Sequence, residues 1–235
     1  MTTSVKTKLL AFHADPKIKR KYLARVRAHA KADEIIHGTY WENGKGCAVG
    51  CTIHSYLHAN YEDELGIPRI LARLEDRLFE GMTNGHAKEF PALFLKAVPV
   101  GADLSNVWNQ FAHWLLIDER DGVIRFAKKE ATRAAILTVG ELYGRAAGGD
   151  VIEAAVWRKA RAAAAAYAAA AYAAAAYDAY YAAYYAAAAA AAYDAAAASA
   201  AAYAAAARQA AYRKMADKLV DLMGQAPVAA KAGAR

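Results

Sequence analysis

From Tyr40 to His58 the chain reads Tyr-Trp-Glu-Asn-Gly-Lys-Gly-Cys-Ala-Val-Gly-Cys-Thr-Ile-His-Ser-Tyr-Leu-His. This is the segment most informative about chemistry, and it holds both cysteines of the chain. Gly44-Lys45-Gly46 leads into a helix start at Cys47, where free backbone N–H groups and an ammonium can meet an anion. Tyr40 and Trp41 offer flat rings on which a base can stack, and Asn43-Gly44 marks the turn between them and the lysine. Tyr40, Trp41, Asn43, Gly44, Lys45, Gly46, Cys47 and His54 are therefore the candidate binding set for an anionic, nucleotide-like small molecule. The pattern is not a P-loop. From Gly38 to Gly44-Lys45 the spacing is one residue too long, Gly46 replaces the Ser/Thr after the lysine, and no strand precedes it. The plainer alternative is that Gly44 and Gly46 only shape an interhelical loop.

Two other chemistries compete for the same residues. On one continuous helix, Cys47, Cys51, His54 and His58 fall at i, i+4, i+7 and i+11, which places four candidate metal ligands on one face. That row would span about 16 Å at 1.5 Å per residue, so one tetrahedral ion would take only adjacent members plus ligands from elsewhere. The spacing is not that of a zinc finger, and a buried small-residue face with hydrogen-bonded histidines is the plainer reading. Alternatively, Cys47 is a nucleophile whose pKa is lowered by the helix dipole. It would need a base; His86 and His113 are available, but nothing in the sequence places either. The catalytic set is incomplete, so binding without a cofactor is the leading expectation.

The elements that must position these residues read as helical. Asp15 caps a helix with Pro16 in its first turn, and Ile18, Tyr22 and Val26 recur along it to about Ile36. Its other faces carry Lys17, Lys19, Arg20, Lys21, Arg25, Arg27 and Lys31. His37 to Gly46 is a loop, and a second helix is expected from about Cys47 to Leu65. Gly66-Ile-Pro68 ends it, and Pro68 opens a third with Ile70, Leu71, Leu74, Leu78 and Phe79 on one face. Thr83-Asn-Gly85 is a turn, followed by a short helix interrupted near Pro91. Asp103 or Ser105 caps the next helix, and Val123–Phe126 is the one plausible strand. A further helix runs to about Ala146, after which Asp150 caps the last element. The expectation is an all-α protein: a body (1–149) of about five to seven helices, a long Ala/Tyr-rich helix or helical hairpin (150–223), and a disordered tail (224–235).

Alanine fills most of the stretch from Ala160 to Ala211, and no Gly or Pro interrupts it. Alanine is the best helix former, so the tract is read as helix, about 110 Å long if straight from Asp150 to Met223. Asp194 and Ser199 are the inconspicuous points at which it could fold back. Tyr167, Tyr172 and Tyr177 step by five residues and wrap around the axis, which disfavours a heptad coiled coil. The tract serves as a spacer, as a homo-oligomerisation helix, or as a tyrosine-lined wall. Met215, Leu219 and Leu222 share a face able to dock.

The net charge of +7 favours anionic partners; a nucleic acid stays open, although no helix-turn-helix spacing is found. Cys47 and Cys51 read as thiols, in keeping with a reducing cytoplasm. The alanine tract lacks the Leu, Ile and Val of a membrane span. The run NGKGCAVGCTIH, then YEDELGIPRILARLEDRLFEG and an alanine repeat ending in ADKLVDLM, resembles a group of phage and prophage proteins with no assigned activity, over nearly the whole chain. The resemblance implies a phage accessory protein acting in the cytoplasm of an infected bacterial host. Sequestering a nucleotide host-defence signal would suit it.

Overall fold

A computed structural model describes residues 9–127, 129–160, 162 and 194–228. Helices dominate: α1 (Pro16–Lys31), α2 (Ala48–Ile53), α3 (Asn60–Leu65), α4 (Arg69–Gly81), α5 (Asn84–Ala97), α6 (Val107–Ile117), α7 (Glu130–Ala147) and a C-terminal helix, Asp194–Gly224. Among the described residues the sheet content is one two-stranded hairpin, β1 (Trp41–Glu42) with β2 (Lys45–Gly46). The all-α class holds. Contacts divide the chain into two units, 1–108 with 216–235, and 109–215. That division differs from the expected one at residue 149, because the end of the C-terminal helix joins the N-terminal unit.

In the first unit, α1 begins where its local signals say. The Asp15 side chain accepts from the Lys17 N–H at 2.7 Å, and Pro16 occupies the first turn, where a missing N–H costs nothing. The helix ends at Lys31 rather than near Ile36, since Asp33 turns left-handed (φ 58°) and Ile35 pairs with Gly46. Tyr22 and Val26 bury their side chains, and α1 packs against α2 and α5. Leu71, Leu78 and Phe79 of α4 join Phe90, Phe94 and Leu95 of α5 in the core. Pro91 sits inside an uninterrupted α5, so the expected break is absent. Leu219, Leu222 and Met223 are buried at the chain's other end. Beyond them Pro227 accepts from the Asp103 N–H at 2.8 Å and Val228 bridges Ala102. Residues 225–228, expected as disordered tail, are thus tied by backbone pairing.

In the second unit, the turn after α6 is built by Asp118, whose carboxylate accepts from the N–H groups of Arg120 and Asp121. Val123–Phe126 is a 3-10 turn, not a strand, and among the described residues no strand pairs with it. Gly140 and Gly144 let α6 and α7 approach closely: an added Cβ would lie 2.3 Å from Ile117 and 2.7 Å from His113. Asp150 pairs with Arg145 instead of capping, and helix resumes only at 154–160. The C-terminal helix runs unbroken through Ser199. Tyr167 to Tyr193 lie outside the described residues.

Candidate functional site

The expected helix from Cys47 to Leu65 is broken after six residues. His54 caps α2 in the left-handed region (φ 54°, ψ 42°), its N–H donating to Gly50 at 2.7 Å. A non-glycine residue held there costs roughly 1–2 kcal/mol, a strain that surrounding contacts must offset. They do so with rings and hydrogen bonds. Trp41 of the hairpin stacks on His54 with centroids 4.2 Å apart and planes 12° from parallel. His29 of α1 meets both rings edge-on, at 5.5 Å from Trp41 and 5.1 Å from His54.

A hydrogen-bond chain runs through the same corner. His29 Nδ1 lies 2.6 Å from Glu34 Oε2, and His29 Nε2 lies 2.8 Å from His54 Nε2. With both rings neutral and Glu34 ionised, one tautomer pair satisfies both contacts. His29 carries its proton on Nδ1 and donates to Glu34, and His54 carries its proton on Nε2 and donates to His29. In that pair His54 Nδ1 carries no proton and can accept a hydrogen bond. Burial, with Arg25 and His29 nearby, holds the His54 pKa below its ordinary value. Arg25 donates to the Thr52 carbonyl at 2.9 Å and lies over the Tyr22 ring, whose hydroxyl donates to Glu64. Burial and the Glu64 carboxylate push the Tyr22 hydroxyl up to about 12.

The hairpin reaches this corner because two glycines let it. A Cβ on Gly46 or Gly50 would lie 2.1 or 1.5 Å from the Tyr40 carbonyl oxygen. The expected anion cradle is closed by the same packing. Gly46 N–H donates to Glu34 O, Cys47 N–H donates to Thr39 O, and the Cys47 sulfur accepts from Gly50 N–H. Trp41 pairs with Gly46 and Glu42 with Lys45, so strand alternation turns Lys45 to the face away from Trp41. Asn43 and Gly44, both at positive φ, form the hairpin tip. Of the sequence-derived set, Trp41 and His54 meet. Tyr40 instead packs edge-on to His58, at 5.7 Å.

Cys47, Cys51, His54 and His58 do not share a face. Cys47 precedes α2, and both histidines follow it, His58 reaching Asp76 at 3.4 Å. Among the described residues no group of three or more His, Cys, Asp or Glu side chains is placed to hold a metal ion. Both cysteines are free and buried. Burial and the neighbouring Asp76 push the Cys47 thiol far up, and burial pushes Cys51 up to about 12. The dipole argument for a Cys47 nucleophile is therefore overturned by desolvation, which outweighs one short helix end.

Beneath α2 lies a buried polar cluster that the sequence does not announce. The Tyr61 hydroxyl donates to Glu75 Oε2 at 2.7 Å, and Tyr61, Glu75 and Thr52 are fully buried. Burial raises the Glu75 pKa well above its ordinary value. Glu75 Oε1 and Asp76 Oδ1 are buried without a partner. Sequence reasoning also missed His29, Glu34 and Arg25. The legible signal was the spacing of Tyr22, Arg25 and His29, which puts them on one edge of α1. No known protein family, curated protein or solved structure matches the chain.

Proposed function

We propose that the chain binds an anionic, nucleotide-like small molecule at the corner formed by Trp41, His54 and Arg25. The observation that carries this reading is the Trp41–His54 stack with Arg25 beside it. A paired indole and imidazole make a flat platform for a base, and stacking on such rings is worth about 1–3 kcal/mol per base. Arg25 supplies a delocalised cation for the phosphate end of the same molecule. His54 is exposed, and its unprotonated Nδ1 supplies a hydrogen-bond acceptor for an N–H or O–H of the ligand. The net charge of +7 favours encounter with an anion.

The phage resemblance supplies the setting of the proposal: an accessory protein in an infected bacterial host that sequesters a nucleotide defence signal. Self-association through the Ala/Tyr tract belongs to the same proposal. Among the described residues no helix is long and apolar enough to cross a membrane.

The test is a melting-temperature screen of purified protein with ADP-ribose and cyclic dinucleotides. Binding should raise the melting temperature, Trp41→Ala and Arg25→Gln should each remove most of the rise, and Lys45→Ala should leave it. No rise with any of them, or a rise that Trp41→Ala preserves, overturns the reading.

A further inference from the structure

Helix α1 carries Lys17, Lys19, Arg20, Lys21, Arg25, Arg27 and Lys31 and no acidic residue. Two of these cations already donate to backbone carbonyls. The Lys19 ammonium donates to the Lys96 and Val98 carbonyls at 2.8 and 2.6 Å, and Arg25 donates to Thr52. The other five are exposed, and none makes an ion pair among the described residues. At 3.6 residues per turn they fall within about 120° of arc, spread over about 21 Å of helix. Ala24 and Ala28 are exposed on the same arc and are too small to hold a polyanion away. Val26, nearly opposite, is buried. Arg25 borders the arc next to Lys21 and carries the positive track toward the Trp41–His54 stack.

Like charges three and four residues apart on a helix repel, so this face opposes its own helix until an anion neutralises it. We propose that the exposed face of α1 is the phosphate track of a single-stranded nucleic-acid site, in which one base of the bound strand rests on the Trp41–His54 stack. The proposal rests on reading that stack as a nucleotide platform. A lipid surface fits less well, because an amphipathic helix enters lipid through its apolar face, and Tyr22 and Val26 are already buried in the protein. An acidic protein fits less well, because the track has no large apolar side chain to form the dry centre of an interface. A duplex keeps its bases stacked on each other, whereas a single strand offers free faces to the platform.

The test uses the full chain and a fluorescein-labelled oligodeoxythymidine of about 15 nucleotides, within the usual range of single-strand sites. Fluorescence anisotropy is read across salt concentrations. Thymidine monophosphate, phosphatidylserine vesicles and poly-glutamate are run beside it. Five phosphate contacts at about 0.7 each predict a log–log salt slope of about −3.5. That is about a hundredfold weakening between roughly 50 and 200 mM salt. The variant Lys17→Ala, Arg20→Ala, Arg27→Ala, Lys31→Ala changes exposed sites where alanine favours helix, so it should fold. Its slope should drop to about −0.7, with mononucleotide binding unchanged. Trp41→Ala should weaken oligonucleotide and mononucleotide alike. An oligonucleotide that binds no tighter than the mononucleotide, or a slope near zero, overturns the track and leaves the platform standing. A full slope with no mononucleotide binding and no effect of Trp41→Ala sinks the platform and keeps the track. Vesicles or poly-glutamate binding more tightly than the oligonucleotide overturns the nucleic-acid assignment.

Discussion

His29 and His54, twenty-five residues apart in sequence, face each other through their Nε2 atoms at 2.8 Å, with Glu34 holding the far nitrogen of His29 at 2.6 Å. The chain is directional. In the tautomers that satisfy both contacts, His54 donates to His29 and His29 donates to Glu34. His54 is the exposed end of that chain.

Nitrogen-15 NMR of the histidine side chains near pH 7.5 should find His29 protonated on Nδ1 and His54 on Nε2. In Glu34→Gln the His29 assignment should lose its preference. The opposite tautomer at His54 in the wild type would break the proposed chain.

The depressed pKa of His54 has a stability consequence with a definite sign. The folded state resists a proton that the unfolded state accepts near 6.5. Stability is therefore complete above that value and is lost as pH falls toward the folded pKa. The melting temperature should drop as pH falls below about 6.5, and His54→Gln should flatten part of that drop. Identical profiles for the two proteins would mean that His54 is not coupled to folding.

The buried thiols should be inert. Native protein should react with iodoacetamide far more slowly than urea-unfolded protein at the same pH, because burial keeps both cysteines protonated. Mass spectrometry after timed labelling reads this directly. Fast modification of Cys47 in the folded chain would restore it as a nucleophile candidate.

Glu75 acts in the opposite sense to His54. Its pKa is raised above the ordinary 4.5, so its contribution is complete below that value and is lost as pH rises through the raised one. Urea midpoints should fall with rising pH, and Glu75→Gln should flatten the fall. Tyr61→Phe leaves Glu75 Oε2 without its donor and should cost roughly 1–3 kcal/mol. A Tyr61→Phe protein as stable as wild type would show that water replaces the hydroxyl.

Gly50→Ala should disturb the site from a distance. Its Cβ would meet the Tyr40 carbonyl oxygen at 1.5 Å, so the hairpin must move away from α2. Overpacking of this kind costs about 1–3 kcal/mol, occasionally more. The shift should also separate Trp41 from His54, visible as a change in Trp41 fluorescence (against a Trp41→Phe control) and in His54 NMR shifts. An unperturbed spectrum would show that the close approach is not what seats the stack.

Much of the helical frame was legible along the chain because its causes are local. The Asp15 cap, Pro16 in the first turn, the Gly66–Pro68 break and the α4 stripe all act within about one helical turn, and each element starts or stops beside them. Local signals misled where packing had the last word. Nothing near His54 in sequence demands a left-handed residue; the arrival of Trp41 and His29 holds it there. Val123–Phe126 has strand-like residues but, among the described residues, no strand to pair with.

By itself, then, the sequence determined that the chain is helical, that α1 is a basic amphipathic helix, and that Trp41 and His54 lie close to the glycine-lysine turn. Only the tertiary structure decided which of those residues meet. Burial turned Cys47 from a candidate nucleophile into a core thiol, strand alternation turned Lys45 away from Trp41, and α1 brought His29 and Arg25 to the corner. The physical reason is one of range. Helix propensity and capping are settled over a few residues, whereas desolvation and side-chain pairing depend on which distant surfaces the fold presses together.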